Sequence, residues 1–95
     1  MIDLEAVSGL ARIEAVKARG RYGDFTSTHE AYGVLCEEVD ELLSAIRANM
    51  AEEVLEEAIQ VSAVALRLAE IVCRRESKFM ERSSLTSAGL ATERA

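Results

Sequence analysis

Leu35-Cys36-Glu37-Glu38-Val39-Asp40-Glu41-Leu42-Leu43-Ser44-Ala45-Ile46, followed by Glu56-Glu57-Ala58-Ile59-Gln60-Val61, decides how this chain folds. In both stretches apolar residues return every three or four positions, which is the repeat of one helix face. Leu, Ala and Glu fill them, and these are strong helix formers. The chain has no proline, five glycines and 4% aromatic residues, a composition of helices rather than sheets. The fold class expected is all-α, an antiparallel bundle of three to four helices.

Outward from that stretch the boundaries follow from local chemistry. Ser27 with Glu30 three residues on forms a capping-box pattern that opens the central helix. That helix is expected to run to about Ala48, with Asn49 as a left-handed stop or a cap. A further helix starts near Met50 or Ala51 and continues to about Arg75, making a tight antiparallel hairpin with the one before. From Ala58 to Cys73 it is apolar nearly all round, as in a helix central to a bundle or lying in a subunit interface. A first helix is expected over residues 3–19, ended by Gly20, with Arg21-Tyr22-Gly23-Asp24-Phe25-Thr26 as connector. Residues 1–76 read as one helical domain, and 77–95 as a short C-terminal helix or frayed tail.

Composition narrows the partners. Hydrophobic residues are 49% of a 95-residue chain, more than a small bundle hides, so a homodimer or homotetramer is expected. A net charge of −6 argues against nucleic acid, whose backbone needs a basic footprint. No run of apolar residues is long enough to span a membrane. Acid in the first residues, Asp3 and Glu5, does not suit a signal peptide, so the expected location is cytoplasmic, with Cys36 and Cys73 reduced.

The acids carry the chemistry. On a helical wheel the apolar arc of the central helix holds Tyr32, Leu35, Cys36, Val39, Leu42, Leu43 and Ile46. Glu38 falls at the edge of that arc, next to Ala31, Val34 and Ala45, and Glu41 lies one step further out. Glu57 projects between Val61, Val64 and Leu68 on the following helix. No Lys or Arg occurs between Arg21 and Arg47 to pair with the acids of the central helix. Glu37, Asp40, Glu52 and Glu56 point outward. Carboxylates without His or Cys suit Mg²⁺, with Mn²⁺ possible, and Mg²⁺ points to phosphate chemistry. The single histidine, His29, follows no Glu-x-x-His pattern, which argues against a di-iron bundle.

At these residues the chain resembles the MazG-like, all-α nucleoside triphosphate pyrophosphohydrolases. Glu37-Glu38-Val39-Asp40-Glu41 is similar to that family's Glu-Glu-x-x-Glu signature, and Glu57-Ala58-Ile59-Gln60 to its Glu-x-x-Asp. The resemblance implies metal ligation by Glu38, Glu41, Glu57 and Gln60, with Glu37 or Glu41 accepting the proton of an attacking water. It implies hydrolysis of a nucleoside triphosphate to the monophosphate and pyrophosphate. Gln60 stands where the family has Asp, which removes one negative charge, and Glu53, one turn before Glu57, is a candidate to compensate. Candidate phosphate ligands are Lys17, Arg21, Arg74 and Lys78. Tyr22 and Phe25 would stack on a base or plug the bundle end. Two other readings stand beside the enzyme: an inactive bundle that binds nucleotide or protein, and a plain helical dimerisation module.

Overall fold

The computed structural model describes residues 3–76, which form three helices: α1 (Leu4–Tyr22), α2 (Thr28–Arg47) and α3 (Ala51–Arg75). There is no strand among the described residues. Each helix starts and stops for a local reason. Asp3 caps α1 by accepting from the Ala6 N–H at 3.0 Å. Ser27 caps α2 by accepting from the Glu30 N–H at 3.0 Å, and Glu30 reaches back one residue further than a strict box, to the Thr26 N–H at 2.9 Å. Between α2 and α3, Asn49 takes φ 56. The Met50 N–H bonds Ala45 O at 3.2 Å and the Asn49 N–H bonds Ile46 O at 3.1 Å, which closes α2 with a Schellman motif.

The first helix is longer than its glycine suggests. Gly20 was the expected stop, but α1 continues to Tyr22 and Gly23 ends it at φ 77, its N–H donating to Arg19 O at 2.9 Å. A glycine inside a helix costs about 1 kcal/mol and is tolerated, whereas the left-handed residue after the last turn needs one.

α3 is the central element and packs against both α1 and α2. The core is small: Phe25, Ala31, Val64 and Ile71, with Val34, Leu35 and Leu68 packed on them. Arginines of α3 tie the α1–α2 connector down. Arg67 donates to Gly23 O at 3.2 Å, Arg75 to Phe25 O and Thr26 O at 3.2 Å each, and Arg74 pairs with Asp24 at 3.0 Å.

The α2 wheel divides differently from its apolar arc. The residues against α3 are those around Glu38: Ala31 and Ala45 are buried, and Val34 and Leu35 pack on the core. Tyr32, Val39, Leu43 and Ile46, at the centre of the arc, are exposed. On α1, Leu4, Leu10 and Ile13 are exposed, and Ala11 is the buried residue of the helix. The short C-terminal helix or frayed tail expected over 77–95 lies outside the described residues.

Candidate metal centre

Glu38 and Glu57 meet in the seam between α2 and α3. Each contributes a carboxylate oxygen, Oε2, that is buried with no hydrogen-bond partner. An unsatisfied buried acceptor costs about 1–3 kcal/mol, more when charged, so the arrangement is unfavourable as it stands. Glu41, one turn after Glu38 and exposed, completes a group in which one oxygen from each residue lies within 4.8 Å of the others. No salt bridge reaches any of the three among the described residues.

The electrostatics follow from that crowding. Burial, then the charge of Glu41 and the neighbouring Glu57, push the Glu38 carboxyl up to about 7. Burial raises the Glu57 carboxyl as well. The pair therefore holds a proton well above the usual carboxylate range, or it gives that proton up to a cation. Three hard oxygen donors, two of them with an orphaned buried oxygen, fit Mg²⁺ or Mn²⁺.

Beside the group lies a cavity of about 600 Å³, in the range of ligand pockets. Glu37 and Glu38 line one wall from α2, Gln60, Val64 and Arg67 another from α3, and Glu14, Lys17, Arg21 and Tyr22 a third from α1. Of the residues expected at the site, these walls gather Lys17, Arg21, Tyr22, Glu37, Glu38 and Gln60. Phe25 also touches the cavity but is buried in the core, under the Arg67 guanidinium at 4.1 Å. It plugs the bundle end and offers no free face to a base. Arg74 lies away from the cavity, paired with Asp24 and Glu70, and Asp24 holds it further in its charged form. Glu53 is exposed and outside both the carboxylate group and the cavity wall. Lys78 lies outside the described residues.

Two residues of the cavity were not singled out from sequence. The Glu14 Oε2 accepts from the Gln60 Nε2 at 3.2 Å. Arg67 is buried, and among the described residues it has no carboxylate partner. A charged residue in the apolar run of α3 was its only signal. No protein-family model matches this chain, and no curated protein or solved structure was found similar to it.

Proposed function

We propose that this chain is a Mg²⁺-dependent nucleoside triphosphate pyrophosphohydrolase of the MazG-like kind, working as a homodimer or homotetramer. The observation that carries the reading is the group Glu38, Glu41 and Glu57, with two orphaned buried oxygens, set beside a cavity that also holds cationic side chains. A carboxylate group without salt-bridge partners suits a divalent ion, and Lys17, Arg21 and Arg67 on the adjoining walls suit phosphate oxygens. Mn²⁺ would fill the same donors.

In this reading a bound Mg²⁺ supplies neutralisation of the triphosphate and polarises its α-phosphorus. The residues of the chain do the rest. Lys17, Arg21 and Arg67 hold the phosphates, and the exposed Tyr22 ring covers the base. Glu37 or Glu41 takes the proton of a water that attacks the α-phosphorus. The new P–O bond forms as the bond from the α-phosphorus to the α,β-bridging oxygen breaks, so pyrophosphate leaves with that electron pair. The substrate is cytoplasmic, and so is the enzyme.

The test is pyrophosphate release from a panel of ribo- and deoxyribonucleoside triphosphates with Mg²⁺ or Mn²⁺, wild type against Glu57→Gln. Release that disappears in the variant supports the enzyme. A folded wild type with no release on any nucleotide overturns it. The second reading, a bundle that binds nucleotide without turnover, is favoured by one observation: the Gln60 amide is engaged by Glu14 and adds no negative charge.

A further inference from the structure

α2 and α3 are antiparallel, so equal rotations from their shared seam lead to the same side of the hairpin. The two seam glutamates mark the origin. One residue before each, Glu37 and Glu56, turns toward the side covered by α1, and Glu37 lines the cavity there. One residue after each, Val39 and Ala58, turns toward the opposite side. On that opposite side α2 presents Tyr32, Cys36, Val39, Leu43 and Ile46, and α3 presents Ala51, Leu55, Ala58, Ser62, Ala65, Ala69 and Val72. Both rows advance by alternating steps of three and four, the repeat that keeps a helix against a neighbour along its whole length.

Neither row contains a charged residue, in a chain whose charged content is 29%. A face that meets water along two long helices would carry charge. Tyr32, Val39, Leu43, Ile46, Leu55 and Val72 each keep at least 40% of their exposure. The α3 row is about 32 Å long at 1.5 Å per residue. Two helices about 9 Å apart make the face roughly 18 Å wide. Its plan area, about 550 Å², gains further from side-chain relief and approaches the roughly 800 Å² per partner of a stable complex. That is the upper end of what a lone soluble chain exposes in one patch.

We propose that a second copy of this chain docks on this face, the two α3 helices antiparallel and Ser62 on the two-fold axis. The α3 row is self-complementary about Ser62. Leu55 of one protomer meets Ala69 of its partner, Val72 meets Ala51, and Ala58 meets Ala65, so a large residue faces a small one or two small ones face each other. The α2 rows flank the centre with Val39, Leu43 and Ile46. Residues 77–95 fit the face less well, because Phe79, Met80, Leu85 and Leu90 are their only large apolar residues and carry no matching three-four repeat. The inference takes up the homo-oligomer of the proposed reading and assigns its interface. It does not depend on a metal, and the active cavity lies on the other side.

The mass of the full chain is to be measured by sedimentation at micromolar concentration, in EDTA and without nucleotide. Two chains per particle are expected. Val39→Glu and Ala65→Glu, at exposed positions, should each give a helical monomer, and Ile13→Glu on α1 should stay dimeric. Ser62→Cys, in a Cys36→Ser, Cys73→Ala background, should cross-link one chain to another on mild oxidation, since only a residue near the axis meets its own copy within disulfide range. A monomeric wild type, dissociation by Ile13→Glu instead, or no Ser62→Cys cross-link overturns the proposal. Because no metal is present, none of these results depends on whether the carboxylates bind one.

Discussion

Gln60 on α3 donates its side-chain amide to Glu14 on α1 at 3.2 Å, which ties the helix carrying Glu57 to the helix carrying Lys17. In this pair the negative charge belongs to α1 and the neutral amide to α3. Gln60→Asp replaces a donor with a second acid facing Glu14. Without metal the variant should lose about 1 kcal/mol, the worth of an ordinary side-chain hydrogen bond, which lowers the melting midpoint by roughly 4–8 °C. The double variant Glu14→Gln, Gln60→Asp should recover it, because the glutamine donates in the reverse direction. Titration with Mn²⁺ followed by calorimetry should show tighter binding in Gln60→Asp than in wild type.

Glu38 sets the pH dependence of the metal-free protein. Its carboxyl sits at about 7 when folded, against an ordinary value of 4.5, so the folded state binds the extra proton. A group raised in this way contributes stability that is complete below 4.5 and is lost as the pH rises through 7. Thermal melts in EDTA should therefore fall between those limits. Partial exposure of Glu38 screens the effect, which is expected at about 1 kcal/mol. Glu38→Gln should flatten the profile and melt higher than wild type at pH 8 (roughly one unit above the shifted value). With Mg²⁺ present the slope should reverse, because the ion competes with the proton and binds better as the pH rises. An unchanged slope with Mg²⁺ would count against the metal centre.

The parts of this fold that were legible in the sequence are those whose chemistry is local. Ser27 and Asn49 mark helix ends because a cap and a left-handed stop are properties of a few consecutive residues. Glu38 and Glu57 stood out because carboxylates among Ala31, Ala45, Val61 and Val64 have no solvated face to occupy. Gly20 misled because position alone does not tell a tolerated helix glycine from a required one, and Gly23 was the required one. The division of the α2 apolar arc was hidden for a different reason. A wheel ranks positions by hydrophobicity, whereas α3 settles on one flank of the arc, on Ala31, Val34, Leu35 and Ala45. The Glu14–Gln60 bond and the Arg67 cradle depend on where α1 and the connector come to rest on α3. No pattern within one helix encodes that.

Asn49 holds the α2–α3 hairpin at φ 56, a backbone region that costs most side chains about 1–2 kcal/mol. Asn tolerates it better than other non-glycine residues. Asn49→Gly should be neutral or slightly stabilising, and Asn49→Val should lose at least about 1 kcal/mol in urea melts. The loss should appear in both EDTA and Mg²⁺, since the turn lies at the end of the hairpin and not in its carboxylate seam. A variant with Val that melts like wild type would mean the turn has re-formed without the left-handed residue.

Arg67 is the residue on which binding and folding are most entangled. Its guanidinium lies 4.1 Å above the Phe25 ring and donates to Gly23 O at 3.2 Å, and the same side chain lines the cavity. Arg67→Met keeps an apolar stem against Phe25 but removes the charge. The lost charge-assisted hydrogen bond is worth about 1.5–3 kcal/mol, partly offset because a buried cation no longer has to be desolvated. A net loss of about 1–2 kcal/mol is expected, small enough to leave a folded protein at room temperature. Arg67→Lys should not rescue it, because a lysine ammonium neither stacks flat on the ring nor presents the same fork. If the cation also holds phosphate, Arg67→Met should weaken binding of a nucleoside triphosphate at least about tenfold, a change of 1.4 kcal/mol. Binding of Mn²⁺ alone should be unchanged. Equal nucleotide affinity in wild type and variant would leave Arg67 as a clamp on the connector only, and shift the phosphate contacts to Lys17 and Arg21.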